Sequence, residues 1–192
     1  MESKINRVRS SITKQVWGAA AAALLTLGVA FGSPVQAAGS HDGDAHQAGS
    51  TGLMGQAAAA SKADRTVDIV LVDNSYDPAA VDVKAGETVR FVVTNKGTLV
   101  HEFNIGTPAM HAAHQKEMMA MVNDGVLEAD RINHDKMKGG HGMSHSDPNS
   151  VLLEPGQSGE VVWTFPSAGT VEIACNVPGH YEAGMKGVID IR

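Results

Sequence analysis

The sequence predicts an all-β domain, a sandwich of seven or eight short strands with a partly helical insertion. Segments rich in β-branched residues alternate apolar with polar positions, as half-buried strands do. Turns containing Gly, Pro or Asn separate these segments at short intervals. The strand pattern stops near residue 106 and resumes near residue 150, and this gap marks the insertion.

The strand segments fall into two groups, one on each side of the insertion. The first group is predicted at residues 67–72, 81–83, 88–94 and 99–105, and residues 74–78 are predicted to form a turn. The second group is predicted at residues 151–153, 160–165, 170–175 and 187–191. The insertion, residues 106–149, is far longer than the usual connection of about 4–6 residues, so a functional role is expected.

Residues 1–37 have the order of a secretory signal peptide. Four basic residues precede an uncharged apolar run at residues 16–31, and Val35 and Ala37 supply small side chains for cleavage. The apolar run is short for a membrane span, although an uncleaved anchor helix is the alternative. We therefore predict export to the periplasm without stable membrane insertion after cleavage. Residues 38–65, rich in Gly, Ala and Ser, are predicted to be a flexible linker before a domain at residues 66–192.

Composition restricts the partners and the redox chemistry. Removal of residues 1–37 would leave 11 basic and 20 acidic residues, and an acidic surface argues against nucleic acid as a partner. The single cysteine, Cys175, cannot form a disulfide within the chain. An exported free thiol is prone to oxidation, so Cys175 is expected to be shielded in the core or bound to a metal.

The segment CNVPGHYEAGM, residues 175–185, places a thiolate, an imidazole and a thioether on one loop between strands. Such a ligand set suits a copper ion that alternates between Cu(I) and Cu(II). A second imidazole must come from elsewhere, and His101, at the start of a predicted strand, is the candidate.

Residues 95–103, NKGTLVHEF, together with the 175–185 loop, resemble the cupredoxin family of blue copper proteins, nearest to plastocyanin, azurin and rusticyanin. The resemblance covers residues 66–192 without the insertion and implies a Greek-key β-sandwich. It implies one type 1 copper with His101, Cys175 and His180 in plane and Met185 as a long axial ligand. Many family members carry Asn or Ser after the first His. This chain has Glu102, which leaves open how the ligand loop is braced.

Other interpretations of the motif explain fewer of its residues. Cys175 could be a core residue and His180 a turn residue. That interpretation leaves unexplained why two His, one Cys and one Met occur in the order and spacing of copper ligands. A cysteine nucleophile paired with His180 would leave Met185 unexplained. Zinc sites do not normally combine Cys with Met. We therefore predict a protein that is not an enzyme.

The insertion contains further candidate ligands for copper. Thr107 and Pro108 have the character of a helix cap and first turn. The candidate secondary ligands are His111, His114, Met118 and Met121 on one helical stripe, and His134, Met137, His141, Met143 and His145 in a Gly-containing tract predicted to be mobile. The alternatives are a lid helix that packs its Met side onto the sandwich and a solvated loop. Cleavage after Ala38 would also create a Cu(II) site at an N-terminal Gly39-Ser40-His41, although cleavage after Ala37 is favoured.

The His- and Met-bearing insertion favours a protein that handles copper and confers copper tolerance, with copper and a redox or copper-transfer protein as partners. In this feature the chain resembles periplasmic copper-resistance cupredoxins with a His/Met-rich insertion, and the resemblance implies the same role. The alternative, favoured by the type 1 ligand set alone, is an electron carrier between respiratory or photosynthetic proteins. A redox enzyme subunit is a third interpretation, but no second catalytic site is visible in the sequence.

Overall fold

A computed structural model describes residues 54–139 and 147–192, where ten strands form two five-stranded sheets. The strands are β1 (Gln56–Ala57), β2 (Arg65–Val72), β3 (Ser75–Asp77), β4 (Ala80–Val83), β5 (Thr88–Asn95), β6 (His101–Gly106), β7 (Ser150–Leu153), β8 (Ser158–Thr164), β9 (Gly169–Ala174) and β10 (Lys186–Ile191). The helices described are α1 (Pro108–Asn123), α2 (His134–Gly139) and a 3-10 turn (Ala60–Lys62). The order is β1-β8-β5-β2-β3 in one sheet and β4-β10-β9-β6-β7 in the other, which confirms the predicted all-β class.

The inner faces of the two sheets meet in an apolar core. Val89, Phe91 and Val93 alternate with partly exposed residues along β5, as a strand with one buried face requires. Phe91 of the first sheet lies 5.3 Å, between ring centroids, from Phe103 of β6 in the second sheet. Phe165 adds an edge-on contact to Phe91 at 6.3 Å. Aromatic packing between the sheets therefore fixes β6, the strand that begins with His101.

Parallel pairing of β2 with β5 places the ends of both strands at one edge of the first sheet. Leu71 lies opposite Asn95 in this pairing. Residues that follow β2 therefore lie beside the turn that connects β5 to β6. His101 stands directly after this turn.

The insertion covers the outer face of β6. All six residues of β6 are buried, although only alternate ones can face the core between the sheets. Helix α1 begins as predicted, because Thr107 Oγ1 accepts a hydrogen bond from Met110 N–H and Pro108 occupies the first turn. Its buried residues are His111, His114, Met118 and Met121. The predicted stripe is thus the packed side of the helix.

Two sequence-based boundaries differ from the structure. Within the linker predicted at residues 38–65, residues 56–57 form β1, which pairs with the edge strand β8, and Trp163 Nε1 donates a hydrogen bond to the Met54 carbonyl at 2.5 Å. Edge strands carry unpaired backbone groups, which this short segment satisfies. Residues predicted as the 74–78 turn include β3, which pairs with β2 and brings buried Tyr76 to the core.

The tract predicted to be mobile at residues 134–145 begins with helix α2. The Asn133 side-chain oxygen accepts a hydrogen bond from Lys136 N–H at 3.1 Å, the interaction that starts a helix. The predicted signal peptide (residues 1–37), the Gly39-Ser40-His41 site, and His141, Met143 and His145 lie outside the described residues. No helix within the described ranges combines the length and apolarity needed to cross a bilayer.

Candidate metal centre

Three potential ligands meet at one end of the sandwich. His101 begins β6, Cys175 follows the last residue of β9, and His180 lies on the loop that connects β9 to β10. One ligand atom from each lies within 4.8 Å of the others. His101 Nδ1 is 3.2 Å from His180 Nδ1, which is 3.4 Å from Cys175 Sγ. Among residues 54–139 and 147–192, no other cluster of three His, Cys, Asp or Glu side chains has this geometry.

Backbone hydrogen bonds close the ligand loop, residues 175–185, on itself. Cys175 N–H donates to the Met185 carbonyl at 3.2 Å, and Met185 N–H donates to the His180 carbonyl at 2.9 Å. Gly179 adopts a φ of 89°, a left-handed conformation that a side chain would disfavour. These constraints hold His180 beside Cys175, and they place Met185 on the same loop with a fully buried side chain.

The spacing of the three ligand atoms fits a metal ion. Bonds of about 2.0 Å to nitrogen and 2.3 Å to sulfur in a trigonal plane separate the ligand atoms by roughly 3.5–3.7 Å. The measured separations of 3.2 and 3.4 Å are close to this range. Two imidazoles with a thiolate form a soft, trigonal set that suits copper. The residues of the cluster therefore fit a copper ion with little rearrangement.

Burial governs the protonation of the cluster without metal. Desolvation raises the pKa of Cys175 to about 12, although the Glu102 backbone N–H, 3.3 Å from Cys175 Sγ, acts in the opposite direction. Burial and then the neighbouring His101 lower the pKa of His180. A neutral His180 can bind a cation directly, whereas a metal must displace the proton of Cys175.

His101 is held from its far side by a carboxylate. Its Nε2 lies 2.9 Å from Asp73 Oδ1, so Nε2 carries the proton and Nδ1 faces the other ligands. Hydrogen bonds from His101 and then Thr98 hold the pKa of Asp73 well below its usual range.

The Glu102 carboxylate, fully buried, replaces the Asn or Ser expected at this position and connects the ligand loop to its surroundings. Its Oε2 accepts hydrogen bonds from Asn176 N–H at 3.1 Å and from Asn176 Nδ2 at 2.8 Å. Its Oε1 accepts from Ser150 Oγ at 2.6 Å and from Asn104 Nδ2 at 3.3 Å. Because Asn176 follows Cys175 directly, Glu102 braces the loop at the thiolate ligand.

His114 of α1 pairs with the buried Glu102. The His114 Nε2 is 2.9 Å from Glu102 Oε1, and its Nδ1 is 2.9 Å from Glu117 Oε2. Burial would raise the pKa of Glu102, but hydrogen bonding and charge from His114 outweigh it and leave a pKa of about 2. Burial would lower the pKa of His114, but Glu102 and Glu117 raise it to about 9. The insertion therefore supplies His114 as a cation, and His114 neutralises the charge of Glu102, the residue that braces the ligand loop.

The other candidate ligands of the insertion are placed apart from the cluster. Met118 and Met121 are fully buried in the apolar core, as in the lid interpretation of α1. His111 is buried, with Nδ1 3.3 Å from Asn176 Nδ2. The exposed His134 lies 3.7 Å from Glu154, and Met137 packs partly buried against the core.

Comparison with known proteins identifies the family. Residues 48–113 match the family model of the cupredoxin-like domain. The chain is 47% identical over 183 residues to the copper-resistant cuproprotein CopI of Pseudomonas aeruginosa, covering 89% of this chain and 95% of that protein. The chain belongs to the cupredoxin family.

Further relatives agree with this assignment. This cupredoxin is 40% identical over 176 residues to the copper-resistant cuproprotein CopI of Rubrivivax gelatinosus, covering 88% of this chain and 95% of that protein. Among solved structures, auracyanin B superposes with a TM-score of 0.53 at 21% identity, covering 72% of this chain and 96% of that chain. The structural similarity supports the fold, and the sequence similarity supports the family.

Sequence reasoning missed Asp73 as a partner of the cluster. It stands 28 residues before His101, and the two meet only because β2 and β5 are parallel. The sequence does show an acidic residue directly after a predicted strand. That position predicts a contact with His101 only if the strand is known to pair in parallel with β5.

Proposed function

We propose that this cupredoxin is an exported copper-binding protein of copper tolerance that holds one type 1 copper. The clustering of His101, Cys175 and His180 in a cupredoxin fold carries the proposal. The relatives named copper-resistant cuproproteins, which this chain matches over nearly their whole length, support the role in tolerance.

We assign His101 Nδ1, His180 Nδ1, Cys175 Sγ and the thioether of Met185 as the groups that would hold the copper. Copper, when bound, supplies one-electron chemistry between Cu(I) and Cu(II). The backbone hydrogen bonds that close the loop and the contact of Glu102 with Asn176 would hold the imidazoles and the thiolate in a fixed arrangement around the metal. The burial of Cys175 also keeps water and oxidants from the sulfur.

A role in binding rather than enzymatic catalysis is part of this proposal. Reactive cysteines have a low pKa and partial exposure. Cys175 is fully buried, and burial raises the pKa of its thiol to about 12. These properties favour a thiol that serves as a metal ligand over a nucleophile.

Absorption spectroscopy of the Cu(II) protein tests the ligand assignment. A Cys-ligated type 1 site is expected to give an intense band near roughly 600 nm. Cys175→Ser should abolish the band, whereas His134→Ala, which alters an exposed histidine outside the cluster, should retain it. A band that survives Cys175→Ser would contradict the assignment.

Growth under copper stress tests the role in tolerance. Cells that lack the gene should become sensitive to copper, and the wild-type chain should restore growth while Cys175→Ser should not. The combined variant His141→Ala, Met143→Ala, His145→Ala, made without altering the described core, tests the extra copper sites that we propose for the insertion. Unchanged copper stoichiometry and unchanged tolerance in this variant would exclude a contribution from those three residues.

Export through the signal peptide of residues 1–37 is likewise proposed. Mass spectrometry of the mature protein should find an N-terminus at Ala38. An N-terminus at Gly39 would instead support the Gly39-Ser40-His41 copper site, and a retained Met1 would refute cleavage.

Electron transfer is the second candidate function, because His180 is the partly exposed residue of a cluster whose other two members are fully buried. A ligand residue that reaches the surface offers a short route for an electron to a partner protein. Normal copper tolerance in cells lacking the gene, together with slowed respiration or photosynthesis, would favour this function.

A further inference from the structure

Asp73 is not one of the proposed copper ligands, but its carboxylate contacts one of them, His101. Its Oδ1 lies 2.9 Å from His101 Nε2, the ring nitrogen opposite the one that faces Cys175 and His180. The Asp73 side chain is 38% exposed, whereas the His101 ring is fully buried. A carboxylate at the rim of the sandwich therefore reaches a buried ligand through a single hydrogen bond.

The turn before β6 holds this carboxylate in a fixed position. Asp73 Oδ1 accepts hydrogen bonds from Thr98 N–H at 2.9 Å and Leu99 N–H at 3.3 Å. Thr98 Oγ1 donates to Asp73 Oδ2 at 2.7 Å. Three donors from two adjacent residues orient both carboxylate oxygens, so the contact with His101 does not depend on a freely rotating side chain.

Gly97 leaves the space that this arrangement needs. A Cβ atom at this position would overlap Asp73 Oδ1 and would stand 2.9 Å from His101 Nε2. Any side chain here would separate the carboxylate from the imidazole. The turn thus supports the Asp73–His101 contact in two ways: Thr98 and Leu99 donate hydrogen bonds to Asp73, and Gly97 leaves room for the contact.

We propose that Asp73 is a positioning residue that fixes the tautomer of His101 and favours Cu(II) over Cu(I) at the centre. The proposal rests on the proposed function, since it concerns the same copper. A carboxylate that accepts the outer N–H of a ligating histidine orients the ring and increases its basicity. Its negative charge also stabilises the more highly charged metal ion. Glu102 adds negative charge on the other side of β6, but His114 pairs with it.

Asp73→Asn removes the charge and keeps the shape. Loss of such an outer partner typically weakens metal binding by about 10–100-fold. We expect at least about tenfold weaker Cu(II) binding with a smaller change for Cu(I), and each tenfold change in the affinity ratio raises the reduction potential by about 59 mV. Asp68→Asn, at an exposed position of β2 five residues before Asp73, removes the same charge from a residue outside the turn that holds Asp73, and should leave the potential close to wild type.

Two further measurements separate positioning from a structural role. Nitrogen-15 NMR of the copper-free protein should show His101 protonated at Nε2 in the wild type and a mixture of tautomers in Asp73→Asn. Thr98→Val removes one hydrogen bond to Asp73 without removing its charge, so it should alter stability more than potential. A shifted potential in Asp73→Asn together with an altered tautomer supports the proposal.

Failure of this proposal is distinct from failure of the proposed function. If wild type binds copper with a blue band, but Asp73→Asn changes neither potential nor tautomer, Asp73 only supports the turn and the inference is wrong. An equal potential shift in Asp68→Asn would assign the effect to net charge and would also overturn it. A wild-type protein without the blue band would refute the proposed function, while the tautomer in the copper-free protein would still test the Asp73–His101 bond.

Discussion

Replacing His114 by phenylalanine tests whether the buried charge of Glu102 depends on its cationic partner. His114 contacts two carboxylates at the same distance of 2.9 Å, but the Glu102 side chain is 1% exposed and the Glu117 side chain is 63% exposed. Removal of one partner from a buried ion pair costs about 3–5 kcal/mol, because the other charge remains without compensation. An exposed pair contributes only about 0–1 kcal/mol.

The expected loss of unfolding free energy therefore differs strongly between His114→Phe and Glu117→Gln, although both variants break a contact of the His114 ring. His114→Phe should lower the unfolding free energy of the metal-free protein by about 3–5 kcal/mol, which corresponds to roughly 6–20 °C in Tm for a chain of this size. Glu117→Gln should lower it by at most about 1 kcal/mol. Denaturant unfolding followed by tryptophan fluorescence measures both. Equal losses in the two variants, or a loss below about 1 kcal/mol for His114→Phe, would refute the reasoning.

The same pair predicts a pH dependence with a definite sign. His114 has a folded pKa of about 9, above its ordinary value of 6.5, so its stabilisation is complete below pH 6.5 and is lost as pH rises through 9. The unfolding free energy of the wild type should fall as pH rises from 6.5 through 9. Glu117→Gln should show most of the same decline, because Glu102 still pairs with His114. A profile for the wild type without this decline would show that His114 is not charged in the folded protein.

Three further predictions concern the site and the core. Met185→Leu should retain copper and raise the reduction potential, measured by redox titration, because an axial thioether tunes the site more than it anchors the metal; loss of copper would contradict this. Cys175 in the metal-free protein should react with an aromatic disulfide reagent far more slowly when folded than in denaturant, because its thiol is buried; equal rates would contradict it. Phe91→Ala should cost about 3–5 kcal/mol of unfolding free energy, because Phe91 contacts Phe103 and Phe165 across the core; a cost below 1 kcal/mol would be inconsistent with that packing.

The cluster could be predicted from sequence because most of it is local. Cys175, His180 and Met185 lie on one loop, where spacing alone brings their side chains near each other. His101 was found by its position at the start of a strand and by family resemblance. The all-β class followed from alternation, which depends only on the neighbours of each residue.

The surroundings of the cluster could not be predicted in this way, because they depend on long-range pairing. Glu102 was recognised as unusual, but its partners come from the ligand loop, from β7 and from α1. His114 was considered as a copper ligand, yet it lies against a carboxylate that no local pattern places there. The short strands β1 and β3 also depend on edges that exist only once the sheets have formed.

The burial of β6 on both faces affects how experiments on the insertion must be interpreted. Excision of residues 106–149 would remove α1 and would uncover both Glu102 and the core surface that Met118 and Met121 cover, so a loss of copper tolerance would not distinguish a damaged scaffold from lost copper ligands. The insertion is therefore not an accessory that can be removed independently of the metal centre. A substitution in its helix can reach the ligand loop through His114 and Glu102, because Glu102 also accepts a hydrogen bond from Asn176 N–H.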